Sequence, residues 1–211
     1  KDFIKILDER LSFFEGSLNE ATYLKEMNEE LEKWGTFEDG RYIPDNPHMI
    51  LGVVIDHMTL IKASNGRSKK EEIDAISRDS VQIRNNTKIV SPIMISQFNR
   101  NSNGQERMKQ GLQDPSIEDY KDSGSLVEDS MVVIGLFSPH KYKLSTYKKY
   151  NIKILEQCFI GVFILKSRFG SSDLMIPTGF YGDCSHYADL PKPENIFDWE
   201  KYTSPNYLLE D

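Results

Sequence analysis

An α/β fold with a mainly parallel sheet is predicted from three features of the sequence. Residues 50–55, 93–96 and 131–137 are short runs apolar on both faces, which suits strands covered by helices on each side. A stretch with helical spacing lies between the first two runs, and strand alternating with helix is the mark of a layered α/β domain. The polar residues Asp56 and Gln97 close the first and second runs, at the strand ends where such sheets gather ligands.

The elements follow in chain order. Phe3, Ile6, Leu7, Leu11 and Phe14 recur at helical spacing, and Gly16 ends the run before Ser17 and Asn19 can cap a second helix carrying Leu24, Met27 and Leu31. Together they predict an acidic helical hairpin. Residues 35–47, rich in Gly, Pro, Asp and Asn, read as a polar loop. The strand at residues 50–55 follows. Residues 68–84, SKKEEIDAISRDSVQIR, have Ser at the cap, acids in the first turn and Ile73, Ile76 and Val81 on one side, which predicts the crossover helix. The strand at residues 93–96 leads into a polar stretch, residues 99–125, too long for an idle connection. Residues 131–137, MVVIGLF, predict a third buried strand. Residues 141–150 interleave Lys141, Lys143, Lys148 and Lys149 with Tyr142, Tyr147 and Tyr150. A solvated hairpin is the preferred reading of that cluster over a stacking platform for bases. Residues 152–166 and 174–181 read as further strands, and the Pro-punctuated tail as irregular. The division expected is an acidic helical segment and linker at 1–47, a core at 48–190 and a tail at 191–211.

Composition narrows the function classes. The 211 residues carry 38% hydrophobic and 28% charged side chains, an ordinary balance for one globular core with appendages. No apolar run reaches the roughly 18 residues of a membrane span, so a cytoplasmic protein without membrane contact is expected. Cys158 and Cys184 lack metal or redox spacing, and His48, His57, His140 and His186 form no paired ligand motif. A net charge of −7 argues against a general nucleic-acid coat, yet residues 62–109 and 141–153 are locally basic, so a polyanion would dock on interior loops.

An apolar strand ending in Asp beside one ending in Gln is how a nucleoside-triphosphate-hydrolysing sheet presents a magnesium anchor and a phosphate sensor. Taken alone, Asp56 reads more readily as a helix cap or turn residue, and Arg100 and Arg107 are equally solvated loop charges. Gly124 could serve simply as a turn glycine.

Five segments in one order carry a resemblance: VVIDHMTLI (53–61), ISRDSVQIRNN (76–86), SPIMISQFNR (91–100), DPSIEDYKDSGSLVEDS (114–130) and ILKSRFG (164–170). They are similar to the DnaB-like replicative helicases, whose motor is a RecA-type ATPase. The resemblance implies a RecA-like core, ATP and Mg2+ as cofactors, single-stranded DNA as track, a hexameric ring of identical subunits, and primase or a helicase loader as partners. Asp56 would hold magnesium through water, and Gln97 would sense the terminal phosphate. Lys166 and Arg168 resemble the pair that reaches into the neighbouring subunit's site. Arg100, Arg107, Asp122, Ser123 and Gly124 match positions lining the central channel, where they would grip the DNA backbone. The sequence departs from the family at His57, where Tyr is usual, and at Val127 and Met131, where acids are usual.

No glycine is followed by Lys-Ser or Lys-Thr, so the phosphate-cradling P-loop is missing from these residues, and the chain alone is not expected to hydrolyse ATP. In RecA-type sheets the P-loop strand lies between the strand ending at Gln97 and the one at residues 131–137. Its loss would leave two unpaired strand edges, and residues preceding Lys1 in a longer protein are the expected filler. Two other readings stay open: a RecA-like or circadian-type ATPase that unwinds nothing, and a catalytically inactive interaction domain.

Overall fold

The computed structural model describes residues 10–64, 66–98 and 114–209. The chain divides into two compact units, Lys1–Gln97 with Asp122–Asp129, and Phe98–Lys121 with Ser130–Asp211.

In the first unit, helix α1 (Glu20–Glu32) starts where Asn19 and Thr22 exchange bonds: the Asn19 side chain accepts from the Thr22 amide, and the Thr22 hydroxyl oxygen accepts from the Asn19 amide, both at 2.9 Å. Tyr23, Met27 and Leu31, spaced four apart, form its buried stripe. Strands β1 (Gly35–Glu38) and β2 (Arg41–Pro44) pair antiparallel, turning at Asp39 and Gly40, which both have positive φ. The loop expected at residues 35–47 is thus a hairpin. Asp-Gly suits the two left-handed positions of a tight turn, and the Phe37 ring packs tilted against Tyr42 across it. Strand β3 (Leu51–Ile55) pairs parallel with β4 (Val90–Met94) through the crossover helix α2 (Lys69–Thr87). Ser68 and Glu71 box the start of α2 and a left-handed Lys88 ends it. Ile73 and Ile76 of α2 meet Tyr23, Met27, Leu31, Ile55 and Val90 in one core. Each such side chain removed from water contributes roughly 1.5–3 kcal/mol. Short helix α3 (Gly124–Asp129) adds Leu126 to that core. The first predicted helix falls mostly on residues outside the described ones, and residues 11–19 carry no helix.

Glu72 ties the unit together from a fully buried position. Its carboxylate accepts from the Glu20 amide at 2.6 Å and the Ser64 hydroxyl at 2.5 Å, and lies 3.8 Å from Arg67, which also pairs with Glu20. Burial works against the charge, but the Ser64 and Glu20 donors and Arg67 outweigh it and hold the carboxyl below its ordinary value of 4.5. Glu72→Ala is expected to cost about 3 kcal/mol, because these bonds are charge-assisted and their donors lose their partner. The folded pKa is depressed, so the contribution of Glu72 is fully present above the unfolded value and is lost as pH falls through the folded one. Urea unfolding of wild type and Glu72→Ala should therefore converge on acidification below the ordinary carboxylate range.

In the second unit, β5 (Val132–Phe137), β8 (Phe159–Ser167), β9 (Leu174–Tyr181) and β10 (His186–Asp189) form an antiparallel sheet in the order β10-β9-β8-β5. The mainly parallel sheet expected from the sequence is not what the described residues show: β3 with β4 is their parallel pair, and the larger sheet is antiparallel. Runs apolar on both faces report burial, not strand direction. Residues 152–158 also depart from the strand expected there. Helix α4 (Ile152–Leu155) and a tight turn precede β8, with Ile152 and Leu155 in the core.

Between β5 and β8 the short strands β6 (Thr146–Tyr147) and β7 (Tyr150–Asn151) make a hairpin closed by Lys148 and Lys149. Their φ values of 45° and 71° are left-handed, a conformation that costs a residue with a side chain roughly 1–2 kcal/mol. Tyr147 and Tyr150 are buried against Phe159, which rules out the stacking platform and leaves the solvated hairpin. The tail carries short 3-10 segments and is packed: the Tyr181 hydroxyl donates to the Tyr202 carbonyl at 3.1 Å, and Ile196 is buried.

Both sheets leave an apolar face in solvent. Val54, Ile93 and Ile95 are 59%, 52% and 42% exposed in the first unit, and Val132, Ile134 and Leu136 of β5 are 45%, 52% and 54% exposed in the second. Among the described residues β4 pairs only with β3, and β5 only with β8, so each also presents a free backbone edge.

Candidate functional site

The parallel register of β3 and β4 fixes the first part of the site. Val54 lies beside Ile93 and Ile55 beside Met94, and the pairing continues past both strands. The Ile95 amide donates to the Ile55 carbonyl at 3.0 Å and the Ile95 carbonyl accepts from the Met58 amide at 2.8 Å, which brackets Asp56 beside Ile95. Exposure alternates along both chains: Gly52, Val54 and Asp56 are exposed on one, and Ser91, Ile93, Ile95 and Gln97 on the other. With side chains alternating at a period of two, Asp56 and Gln97 share one solvent-facing side of the sheet, on adjoining strands and at the carboxyl ends. Next to Asp56, the His57 ring shares a hydrogen bond with the Thr59 hydroxyl, and Lys69 donates to the Thr59 carbonyl, so the turn after β3 is tied to the start of α2.

A magnesium ion is matched by what this end of the sheet offers. Among the described residues no group of three or more His, Cys, Asp or Glu side chains could hold a metal, so Asp56 would act as a lone hard oxygen donor. That suits an ion that keeps most of its waters and shares its remaining positions with phosphate oxygens.

The other predicted residues are distributed as follows. Lys166 lies in β8 opposite Val133, and Arg168 follows two residues on, exposed, its amide bonded to the Met131 carbonyl at 2.9 Å. At that spacing the two cationic side chains leave the strand on one face. Both belong to the second unit, whereas Asp56 and Gln97 belong to the first. Asp122 and Ser123 end a short 3-10 segment, Ile117–Ser123, and Gly124 opens α3 with open space where a Cβ would stand. Neighbouring Ser125 donates to Asp74 of α2. Arg100 and Arg107 lie outside the described residues.

One feature was not foreseen. The second unit carries an open cleft of about 900 Å3 lined by Phe98, Phe137, Tyr142, Phe180 and Tyr187, with Phe137 and Tyr142 stacked at 5.2 Å. Its walls come from separate stretches of chain with no shared local pattern. Cys158 borders it half-buried, its thiol donating to the Thr203 carbonyl and its pKa pushed up by burial, while Cys184 is exposed; both are free thiols.

Comparison with known proteins places this geometry. The family model for the DnaB-like helicase C-terminal domain matches residues 39–189, well over half of the chain. The chain belongs to the DnaB-like helicase C-terminal domain family. Among solved structures, this DnaB-like chain is similar to the ATPase domain of G40P, with TM-score 0.63, 19% identity, and 85% of this chain and 54% of that one covered. It is also similar to a DnaB-like replicative helicase solved to describe its interactions with primase, with TM-score 0.62, 20% identity, and 85% and 37% covered. At these identities the structures establish a shared mixed α/β fold, and the DnaB-like chain spans about half of the first and little over a third of the second. No curated protein matches it. No helix among the described residues is long and apolar enough to cross a membrane.

Proposed function

We propose that this chain is the C-terminal part of a DnaB-like replicative helicase motor with a RecA-like core, coupling ATP hydrolysis to movement along single-stranded DNA as a ring of six identical subunits. The observation that carries the reading is the shared face of Asp56 and Gln97 at adjoining parallel strand ends. Bound with ATP, magnesium supplies neutralisation of the charge that develops on the transferring phosphoryl group. Asp56 is the residue that would hold the ion, through water. Gln97 directs its amide toward the terminal phosphate and passes the presence or loss of that phosphate to the residues that follow it.

Lys166 and Arg168 act in trans, donating to phosphate oxygens held by a neighbouring subunit, where the guanidinium fork fits the charge of the transition state. Arg100 and Arg107 would contact DNA phosphates, as would the segment of Asp122, Ser123 and Gly124. A phosphate-cradling strand, absent from these residues, would pair with the free edge of β4. By likeness to the helicase described with primase, a primase is the partner proposed, with a helicase loader acting at assembly. The site of action that follows is the cytoplasm.

The test uses the intact protein, with ATP turnover measured with and without single-stranded DNA alongside displacement of a forked duplex. DNA-stimulated turnover with strand displacement is expected. Stimulated turnover without displacement would point to an ATPase that unwinds nothing, and no turnover at all would leave an interaction domain.

A further inference from the structure

The 26 residues between Asp129 and Glu156 contain five lysines and no Asp or Glu, in a chain whose net charge is −7. Lys148 is engaged, bonded to Asp114 at 2.7 Å and set over the rings of Tyr147 and Phe163. Lys143, Lys149 and Lys153 are exposed, and among the described residues none of their side chains has an ion-pair or hydrogen-bond partner. The fold gathers them on one rim. The Ser145 carbonyl accepts from the amides of Ile152 and Lys153 at 3.1 and 3.3 Å, which sets Lys153 beside Ser145, two residues after Lys143. Pairing of Tyr147 with Tyr150 then puts Lys149 at the tip of the same hairpin.

Two of these lysines occupy positions that disfavour them. Lys143 and Lys149 have φ of 56° and 71°, where glycine or asparagine is the low-cost choice, and a two-residue hairpin turn is most often Asn-Gly. Stability does not account for lysine there. The tyrosines that alternate with them are buried, so this rim offers charge without any ring on which a base could stack.

We propose that Lys143, Lys149 and Lys153 form a docking rim for the phosphate backbone of nucleic acid, read by charge alone and indifferent to whether the bases are paired. The rim is independent of the motor residues. It shares none of the positions proposed for nucleotide, metal or the channel, and its lysines are point charges on flexible stems, suited to phosphates rather than to base edges. An acidic surface of a second copy of this chain is the competing occupant. The duplex or displaced strand is favoured because three cations with no ion-pair partner among the described residues match a regular row of phosphates and release its counterions.

The experiment measures binding of the intact protein, without nucleotide, to a single strand and to a duplex of equal length across a salt series. The triple substitution Lys143→Gln, Lys149→Gln, Lys153→Gln is expected to lower the slope of log K against log salt by about 2 for the single strand and by just under 3 for the duplex. ATP turnover without DNA should be unchanged. The triple Lys→Arg protein, which keeps the charges, should bind like wild type. Lys149→Gly, which relieves the turn, should raise the melting temperature by about 2–4 °C while still reducing the slope. An unchanged slope in the Gln triple overturns the proposal. So does a loss confined to the single strand, or an unchanged slope accompanied by a shift in oligomeric state, which would assign the rim to a second copy. If the motor reading alone were wrong, turnover would be absent in every variant while the slope still fell.

Discussion

Arg168→Ala in the intact protein is expected to lower ATP turnover by about 10³- to 10⁵-fold, the range over which an arginine finger acts in phosphoryl transfer. The physical reason is geometric. Arg168 stands exposed just beyond β8, two residues from Lys166 on the same face, with its backbone pinned to Met131. A planar fork fixed at its root loses little freedom when it meets a phosphate, and alanine removes both the charge and the fork. Because the finger is proposed to act in trans, mixing supplies a second readout. Subunits carrying Arg168→Ala and subunits carrying Asp56→Ala, each inactive alone, should regain partial turnover together, since some interfaces would then join an intact Asp56 to an intact Arg168. Mixtures as inactive as their components would place both residues in one subunit's site. Full turnover by the Arg168→Ala protein would remove the finger from the mechanism altogether.

Much of the first unit could be read from sequence because its signals are local. Asn19 and Ser68 stand at the helix starts as caps, and the acids after Ser68 close a box that structure and sequence agree on. The parallel pair of β3 and β4 followed from two apolar runs separated by a helix, a spacing that leaves a right-handed crossover as the economical connection. The placing of Asp56 and Gln97 at the carboxyl ends of those two runs follows from the same spacing.

Legibility ends where tertiary pairing decides. Residues 131–137, 159–167 and 174–181 are apolar enough to be central strands of either direction, and only their turns tell that they run antiparallel. Asp39-Gly40 is a hairpin signal that the surrounding polar residues hid inside an apparent loop. The interleaved Lys and Tyr residues of the β6–β7 hairpin look alike in sequence, yet burial sends the tyrosines inward and leaves the lysines outside. Cross-chain features such as Glu72 bonding Glu20 and Ser64 have no local signature at all.

Asp56→Asn is the second large effect. The substitution keeps shape and removes the negative charge, so magnesium with ATP should be held more weakly and turnover should drop by roughly 10²- to 10³-fold, the several kcal/mol that a metal supplies to such a transition state. Raising the magnesium concentration should restore part of the loss if the defect lies in holding the ion. It should restore none if Asp56 were only a turn residue after β3.

The most direct measurement is a double-mutant cycle on Asp56 and Gln97, read as ATP turnover of the intact protein. Asp56→Asn, Gln97→Ala and the double variant should lose activity non-additively, the double being little worse than the poorer single, because both side chains serve one metal-bound triphosphate. Losses that multiply would mean that the acid and the amide act separately, and would contradict the shared site on which the motor reading rests.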